Sequence, residues 1–197
     1  FQKLEVIPNG VDTDNFNFID KNYCKEKLCW AKEKQYLLFA ANPERPEKNF
    51  NLLRSAIDLL TPEYSIELNT LKNVPHENVS YYMNAADVVI LTSLWEGSPN
   101  VIKEAMACNC PIVTTDVGDV RWLIGKTEGC YITSFDPNDV ASKIKQALKF
   151  GAEKGRTQGR KRIIELELDS ETVAKRIIGI YEKVIDIQQG KFESYVS

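Results

Sequence analysis

The stretch Thr92–Cys108, TSLWEGSPNVIKEAMAC, decides the fold of this chain. An apolar run ends at Thr92, Gly97 turns the loop, and an alanine-rich helix follows. Ser98 is predicted to cap this helix and Pro99 to take its first position, where the missing proline N–H would be unpaired anyway. A strand, a short loop and a helix in this order are typical of a parallel sheet wrapped by helices.

The start of this helix is a candidate ligand site. The N–H groups of Ser98, Asn100 and Val101, with the positive end of the helix dipole, predict an anion site at the carboxyl edge of the sheet. Glu96 precedes the helix and Glu104 lies inside it, and a helical side chain leans back toward the N-terminus. Ionised carboxylates accept hydrogen bonds from sugar or ribose hydroxyls. The alternative interpretation is that Glu104 pairs with an exposed lysine and that Glu96 is merely solvated.

A second loop carries two cations. Arg45 and Lys48 follow the apolar run Tyr36–Ala41, so they also lie above the carboxyl end of a predicted strand. A planar guanidinium and a compact ammonium together suit neighbouring phosphates, although either one alone could be an ordinary surface charge. The single histidine, His76, lies in a short polar stretch and is interpreted as structural or exposed, with a position near a ligand as the alternative.

Apolar runs elsewhere predict the rest of the sheet. Three runs lack period-two alternation, as buried parallel strands do: Tyr36–Ala41, Asp87–Thr92 and Pro111–Thr114. Weaker strands are predicted at Leu4–Ile7, Ser65–Leu68 and Cys130–Thr133. Helices are predicted at Asn49–Leu60, Pro99–Cys108, Pro137–Phe150 and Ser170–Gln188. The fold class is therefore α/β, a Rossmann-like parallel sheet of about six strands with helices on both faces.

The composition is that of a globular domain. The 197 residues are 43% hydrophobic and 27% charged, and one domain is predicted over residues 1–197, with residues 170–197 as a C-terminal helix and tail. The formal net charge of −3 argues against a nucleic-acid partner, which usually meets a strongly basic face. No apolar run approaches the roughly 20 residues that cross a bilayer. The basic stretch Lys154–Lys161 is interpreted as a solvated helix face or connection.

Several kinds of site are disfavoured by missing motifs. The sequence contains no GxGxxG and no GxxxxGK[ST], which disfavours an ordinary NAD fingerprint and a P-loop, and no GxSxG of a serine hydrolase. The cysteines are five in number and lack the paired CxxC spacing of a zinc site: Cys24, Cys29, Cys108, Cys110 and Cys130. They are predicted to be inert thiols in a reducing compartment, and no metal site is predicted.

Four motifs together resemble one enzyme family. They are IPNGVD (Ile7–Asp12), RPEKN (Arg45–Asn49), AADVVILTSLWEGSPNVIKEAMAC (Ala85–Cys108) and PIVTTDVGDV (Pro111–Val120). In this order they resemble the retaining glycosyltransferases of family 4, in particular the bacterial group 1 enzymes of the teichuronic-acid type. The resemblance implies a two-domain GT-B architecture, of which this chain matches the C-terminal, donor-binding half. The N-terminal, acceptor-binding half is then expected to be absent from the 197 residues.

The resemblance also implies roles for individual residues. Arg45 and Lys48 would contact the donor diphosphate and Glu96 would touch hydroxyls of the donor sugar, so these three are the implied catalytic groups. Glu104 would hold the ribose hydroxyls. The other donor-binding positions lie at the helix start and on the base side of the site: Gly97, Ser98, Pro99, Asn100, Val101, His76 and Val79. No cofactor and no metal is implied besides the nucleotide-diphosphate sugar itself.

The implied reaction moves a sugar from a nucleotide-diphosphate sugar to a glycan or a lipid-linked acceptor, with retention of the anomeric configuration. The implied location of the full-length enzyme is the cytoplasm, with peripheral association at the inner face of the membrane. One alternative is half of a sugar-nucleotide epimerase of related architecture, which predicts further acid–base residues facing the donor sugar. Another is a non-catalytic nucleotide-binding module, which predicts nucleotide binding without transfer.

Overall fold

A computed structural model describes residues 5–60 and 65–196, with the side chains of the last helix described as far as Ile185. Its sheet contains β1 (Gln35–Phe39), β2 (Ile66–Thr70), β3 (Val88–Leu91), β4 (Ile112–Thr115) and β5 (Cys130–Thr133). The strand order is β2-β1-β3-β4-β5, and every neighbouring pair is parallel. The predicted α/β fold is confirmed, with five strands in the sheet instead of six.

The prediction of a strand at Leu4–Ile7 is wrong for the residues that the structure describes. Leu4 lies outside them, and Glu5–Ile7 join no ladder, with Val6 78% exposed. The N-terminal segment, residues 5–18, instead meets the start of the last helix. Val11 donates its N–H to the Leu168 carbonyl at 2.8 Å and forms one isolated parallel bridge. Glu5–Ile7 therefore have no neighbouring strand to pair with, although Val11 and Phe16 further along the segment are buried in the core.

Eight helices surround the sheet within the described ranges. They are α1 (Lys21–Lys27), α2 (Phe50–Asp58), α3 (His76–Ala85), α4 (Asn100–Ala107), α5 (Val120–Ile124), α6 (Pro137–Lys154), α7 (Gly159–Glu165) and α8 (Ser170–Val196). The four predicted helices correspond to α2, α4, α6 and α8. The sequence analysis does not predict α1, α3, α5 and α7 as separate helices, because short helices carry too few apolar repeats to show a clear period.

Alternating strand residues bury the two faces of the sheet under different helices. On β1, Leu37 and Phe39 pack in the cluster that contains residues of α2 and α6. Leu38, between them, packs in the cluster that contains residues of α3, α4, α5 and α7. Both faces are therefore covered, which explains why the central strands are continuously apolar.

The basic stretch Lys154–Lys161, predicted as a solvated helix face or a connection, joins α6 to α7 and also fastens the N-terminal segment to the body. The Arg160 guanidinium donates from Nη1 to the carbonyls of Thr13 and Phe16, at 2.9 Å each. Arg156 donates to the carbonyl of Asn84. A guanidinium offers several donors in a fixed fork, so one arginine can hold two carbonyls at once.

All five cysteines are free thiols. Burial raises the pKa of Cys24 to about 11 and that of Cys130 to about 12, so both stay protonated near neutral pH. Over the described residues, no helix combines the length and the apolar character that a membrane span requires.

Candidate functional site

The candidate site lies where the strand order changes direction. The chain passes from β1 to the edge strand β2 and returns on the other side of β1 as β3. The loops after β1 and β3 therefore diverge from neighbouring carboxyl ends and leave a crevice between them. A cavity of about 200 Å³ occupies this crevice, and its lining consists of Ala40, Ala41, Asn42, Arg45, Lys48, Glu96, Pro99, Asn100 and Val101. The structure thus brings both predicted cations, one predicted carboxylate and the start of α4 to one place.

The two cations of the loop after β1 differ in exposure, since Arg45 is exposed and Lys48 is mostly buried. Residues Pro46–Lys48 form one turn of 3-10 helix, and Asn49 takes a left-handed conformation with φ of +51° before α2 begins. The Arg45 side chain is 59% exposed and pairs with Glu47 on its own loop. Arg45 is therefore free to change partner, because an exposed ion pair adds little stability.

Lys48 and Glu96 form the central ion pair of the cavity. Their Nζ and Oε1 atoms are 2.6 Å apart, and the two side chains are only 14% and 16% exposed. The pair joins the loop after β1 to the loop after β3. Glu96 is thus not merely solvated, which contradicts the alternative interpretation of this residue. An anion that enters the cavity would meet a lysine already shared with a carboxylate.

Hydroxyl groups at the end of β3 complete this junction, and the sequence analysis missed them. The Ser93 hydroxyl donates to Glu96 Oε1 at 2.7 Å. The Thr92 hydroxyl lies 3.0 Å from the carbonyl oxygens of both Lys48 and Asn49. Both residues are buried at the carboxyl end of a strand, and that position is the signal that could have identified them.

Helix α4 begins one residue later than predicted. Pro99 is the N-cap, no side chain caps the helix, and Asn100 is the first helical residue. Ser98 is therefore not the cap, and its buried hydroxyl oxygen has no hydrogen-bond partner among the described residues. The first N–H groups of a helix have no partner within it, so those of α4 are available beside the cavity.

Gly97 does not line the cavity but supports it through a third loop. The Gly97 carbonyl accepts a hydrogen bond from the N–H of Asp119 at 3.1 Å, in the loop after β4. Gly118 precedes Asp119 with φ of +56°, and a Cβ at Gly118 would lie 2.1 Å from the Gly97 oxygen. Only glycine allows this close approach. Gly118 is a second supporting residue that the sequence analysis did not single out.

Glu104 and His76 form a second group, one turn further along α4. The distance from His76 Nε2 to Glu104 Oε1 is 3.6 Å, and the Glu104 side chain is only 14% exposed. The neighbour that faces the Glu104 carboxylate is thus a histidine and not the exposed lysine of the alternative interpretation. Burial raises the pKa of Glu104, while His76 opposes that rise by its charge and by hydrogen bonding. Val79, also predicted at this site, is a residue of α3 that is buried in the core.

Larger hollows lie elsewhere on the described surface. One, of about 430 Å³, lies beside α7 and includes Gly125, Lys126 and Arg162 in its lining. Another, of about 370 Å³, lies between Glu5 and α8, and a third, of about 580 Å³, lies between Asn109 and α7. None of these three is lined by the loops after β1 and β3, and none collects groups from several strand ends, so the smaller cavity remains the candidate site.

Comparison with known proteins agrees with this choice. Residues 65–149, which include β3, α4 and β4, match the family described as glycosyl transferases group 1. The matched residues include the loop with Glu96 and the start of α4, which line the candidate cavity.

Relatives of this domain are named glycosyltransferases. The chain is 23% identical to the UDP-Gal:alpha-D-GlcNAc-diphosphoundecaprenol alpha-1,3-galactosyltransferase of Escherichia coli, over 96% of this chain and 56% of that enzyme. A shorter match, 47% identical over 36% of this chain and 18% of the relative, is to TuaC of Bacillus subtilis, a glycosyltransferase whose name assigns it to teichuronic acid biosynthesis. The resemblance to group 1 enzymes, including the teichuronic-acid type, is confirmed.

A solved structure shows the same fold. Anabaena Alr3699/HepE in complex with UDP superposes with a TM-score of 0.74 at 19% identity, over 91% of this chain and 57% of that protein. The chain thus shares the α/β fold of part of that structure. The chain spans about half the length of the Escherichia coli enzyme and of the Anabaena protein, at 56% and 57%.

Proposed function

We propose that this chain is the donor-binding half of a glycosyltransferase that moves a sugar from a nucleotide-diphosphate sugar to a glycan or lipid-linked acceptor. The observation that supports this most directly is the convergence of Arg45, Lys48, Glu96 and the start of α4 on one cavity at the strand switch. Two cations and unpaired helix N–H groups suit a diphosphate, and a neighbouring carboxylate suits sugar hydroxyls.

The proposed chemistry follows from where charge develops. When the bond between the sugar and the diphosphate breaks, negative charge builds on the leaving nucleotide. Lys48 lies within the cavity wall and Arg45 can turn from its exposed pair with Glu47, so both can meet that charge. Cations and dipoles fixed in advance stabilise such charge without reorganising during the reaction. The proposal assigns this task to protein groups, and no metal ion or other cofactor is part of it.

The other proposed contacts divide the donor between the two groups of residues. Glu96 contacts hydroxyls of the sugar, and Glu104 contacts those of the ribose. The base lies toward the start of α3, near His76. The acceptor attacks from the face that the leaving group departs from, which retains the anomeric configuration and requires no nucleophile from this half. We assign acceptor binding to the other half of a two-domain enzyme.

The proposed cellular setting follows from the proposed acceptor. The setting that we propose is the cytoplasm. A lipid-linked acceptor would bring the full-length enzyme to the inner face of the membrane by peripheral association. The relative in Escherichia coli carries a diphosphoundecaprenol acceptor in its name, which supports this class of acceptor.

The test is calorimetric titration of the chain with UDP, GDP and ADP. UDP is the first nucleotide to measure, since the names of the Escherichia coli relative and of the Anabaena complex both contain it. We expect weak binding of one nucleoside diphosphate and no sugar transfer by the chain alone. Glu104→Gln should weaken binding about tenfold, the worth of one charge-assisted hydrogen bond. Lys149→Ala, on the opposite face at α6, should bind as the wild type does. No binding of any of the three nucleotides at millimolar concentration contradicts the proposal.

A further inference from the structure

The single imidazole of the chain is held between two parts of the structure. His76 is the first residue of α3, and its Nε2 atom faces Glu104 of α4 at 3.6 Å. On its other side the ring packs edge-on against Phe16, with 5.4 Å between the ring centroids. Phe16 belongs to the N-terminal segment and is only 1% exposed, so it gives the ring a fixed neighbour. The imidazole itself is 70% exposed and therefore borders solvent.

Lys103, the residue before Glu104, is committed to other partners. Its side chain is fully buried, and its ammonium donates to the Asn9 carbonyl at 2.9 Å and contacts Asn100 Oδ1 at 3.3 Å. It contributes to keeping Glu104 ionised only through its charge, and less than His76 does. Lys103 therefore does not orient the Glu104 carboxylate.

Arginines of the other elements packed around α4 are also engaged elsewhere, and Asp119 at the start of α5 is an acid that acts by its charge on Lys103. Arg160 of α7 donates to two carbonyls of the N-terminal segment, and Arg121 of α5 pairs with an aspartate of the preceding loop. The Cys108 thiol next to α4 stays protonated because burial raises its pKa. Among the described residues, His76 is thus the group from a neighbouring element that faces Glu104 and can carry a positive charge.

We propose that His76 is a positioning residue, which turns one carboxylate oxygen of Glu104 toward its Nε2 and leaves the other oxygen free for a hydroxyl of the nucleotide ribose. This inference rests on the proposed function, because Glu104 needs a nucleotide to act on. A partly buried carboxylate with one oxygen held is pre-organised, so less freedom is lost when the ribose binds. The exposed edge of the imidazole remains open toward the base side of the nucleotide.

A series of variants at His76 tests the proposal by titration with UDP. His76→Ala should weaken UDP binding about tenfold near pH 7.5, because the carboxylate loses the imidazole that faces it at 3.6 Å. His76→Gln keeps an N–H donor in a similar place, so its affinity at pH 8 should stay within about threefold of the wild type. The matched control is Lys149→Ala, an exposed position of α6 on the other face of the sheet.

The pH dependence separates positioning from a merely structural role. Burial favours the protonated form of Glu104 and His76 favours the ionised form, so without His76 the carboxyl should take up its proton at a higher pH. The ratio of wild-type to His76→Ala affinity should therefore grow as the pH falls from 8 to 6. Titration of UDP itself cancels in this ratio. At the low end of that range His76→Gln should resemble His76→Ala, since an amide carries no charge.

Removal of the ribose hydroxyls gives the deciding comparison. With 2′,3′-dideoxy-UDP the wild type and His76→Ala should bind equally, because Glu104 then has nothing to hold. A loss of affinity that persists with the dideoxy ligand, or a ratio that does not change with pH, overturns the inference alone. Absence of UDP, GDP and ADP binding by the wild type overturns the proposed function, and the inference with it. Circular dichroism of each variant shows whether it is folded. If His76→Ala is not folded, His76→Gln replaces it in the comparison at the low end of the pH range.

Discussion

Replacing Gly118 by alanine is predicted to damage both the fold and the candidate site. Gly118 has φ of +56°, and an added Cβ would lie 2.1 Å from the carbonyl oxygen of Gly97 and 2.9 Å from that of Glu96. These are backbone atoms, so they cannot turn away as the end of a flexible side chain does. The loop that carries Glu96 must move, and Lys48 moves with it through their ion pair.

The magnitude follows from two separate costs. A left-handed conformation costs an alanine about 1–2 kcal/mol, and forcing extra volume into a packed site costs about 1–3 kcal/mol. The free energy of unfolding should therefore fall by about 2–5 kcal/mol. Because the displaced loop also carries the cavity wall, binding of UDP should weaken about tenfold or more.

Urea denaturation measures the first effect and calorimetry the second, with Gly155→Ala as the matched control. Gly155 also has a positive φ, +81°, but a Cβ there would meet nothing within 4 Å. This control should lose about 1–3 kcal/mol from backbone strain and keep its nucleotide affinity. If Gly118→Ala costs no more stability than Gly155→Ala and binds UDP as the wild type does, the close approach of the two loops is wrong.

Three further predictions concern single contacts. Lys48→Met should lower the free energy of unfolding by about 1–3 kcal/mol, because it leaves the half-buried Glu96 without its cation. Adding Glu96→Gln should restore part of that stability, and a double variant no more stable than Lys48→Met contradicts this. Arg160→Ala should lower the free energy of unfolding by about 1–3 kcal/mol and expose the N-terminal segment to proteases, since two carbonyls lose their donor. Urea denaturation and limited proteolysis measure the two effects, and unchanged cleavage within residues 5–18 would count against the prediction. The hydrogen bond from the Ser134 N–H holds the pKa of Asp139 below its ordinary value. The stabilisation by Asp139 is therefore present above the ordinary pKa and is lost as the pH falls through the lower pKa of the folded state. Asp139→Asn should show a shallower acid dependence of stability, and identical slopes would refute it.

The buried strands were predictable because a strand that is covered on both faces is apolar at every position. Val88–Leu91 and Ile112–Thr115 lie within one residue of the predicted strands, since a strand covered by helices on both sides reads as one apolar run. The same signal misled at Leu4–Ile7. A short apolar run does not reveal whether a sheet edge is within reach, and here the segment passes to the start of α8 instead.

The candidate site was predictable in its parts. Each predicted cation and carboxylate of the cavity follows a strand, and parallel strands bring their carboxyl ends to one edge. The contacts made at that edge were not predictable. The Thr92 hydroxyl joins the two loops and the Ser93 hydroxyl holds Glu96 within its own loop, and hydroxyls at a strand end have no distinctive spacing. The polar stretch around His76 does not predict the helix α3 that begins there, so the approach of His76 to Glu104 was not predictable.

Local patterns along this chain were sufficient for the fold class, the group 1 motifs and the identity of most candidate residues. Those features depend on periodicity and on residues near one another in sequence, which are visible without coordinates. Tertiary structure alone decided that Lys48 pairs with Glu96, that Gly118 supports Gly97 and that the imidazole faces Glu104. These contacts join residues on separate loops and helices, and their distances depend on how the sheet is ordered and packed. The residue types alone indicate which charged groups the cavity can offer, and the strand order decides which of them lie together.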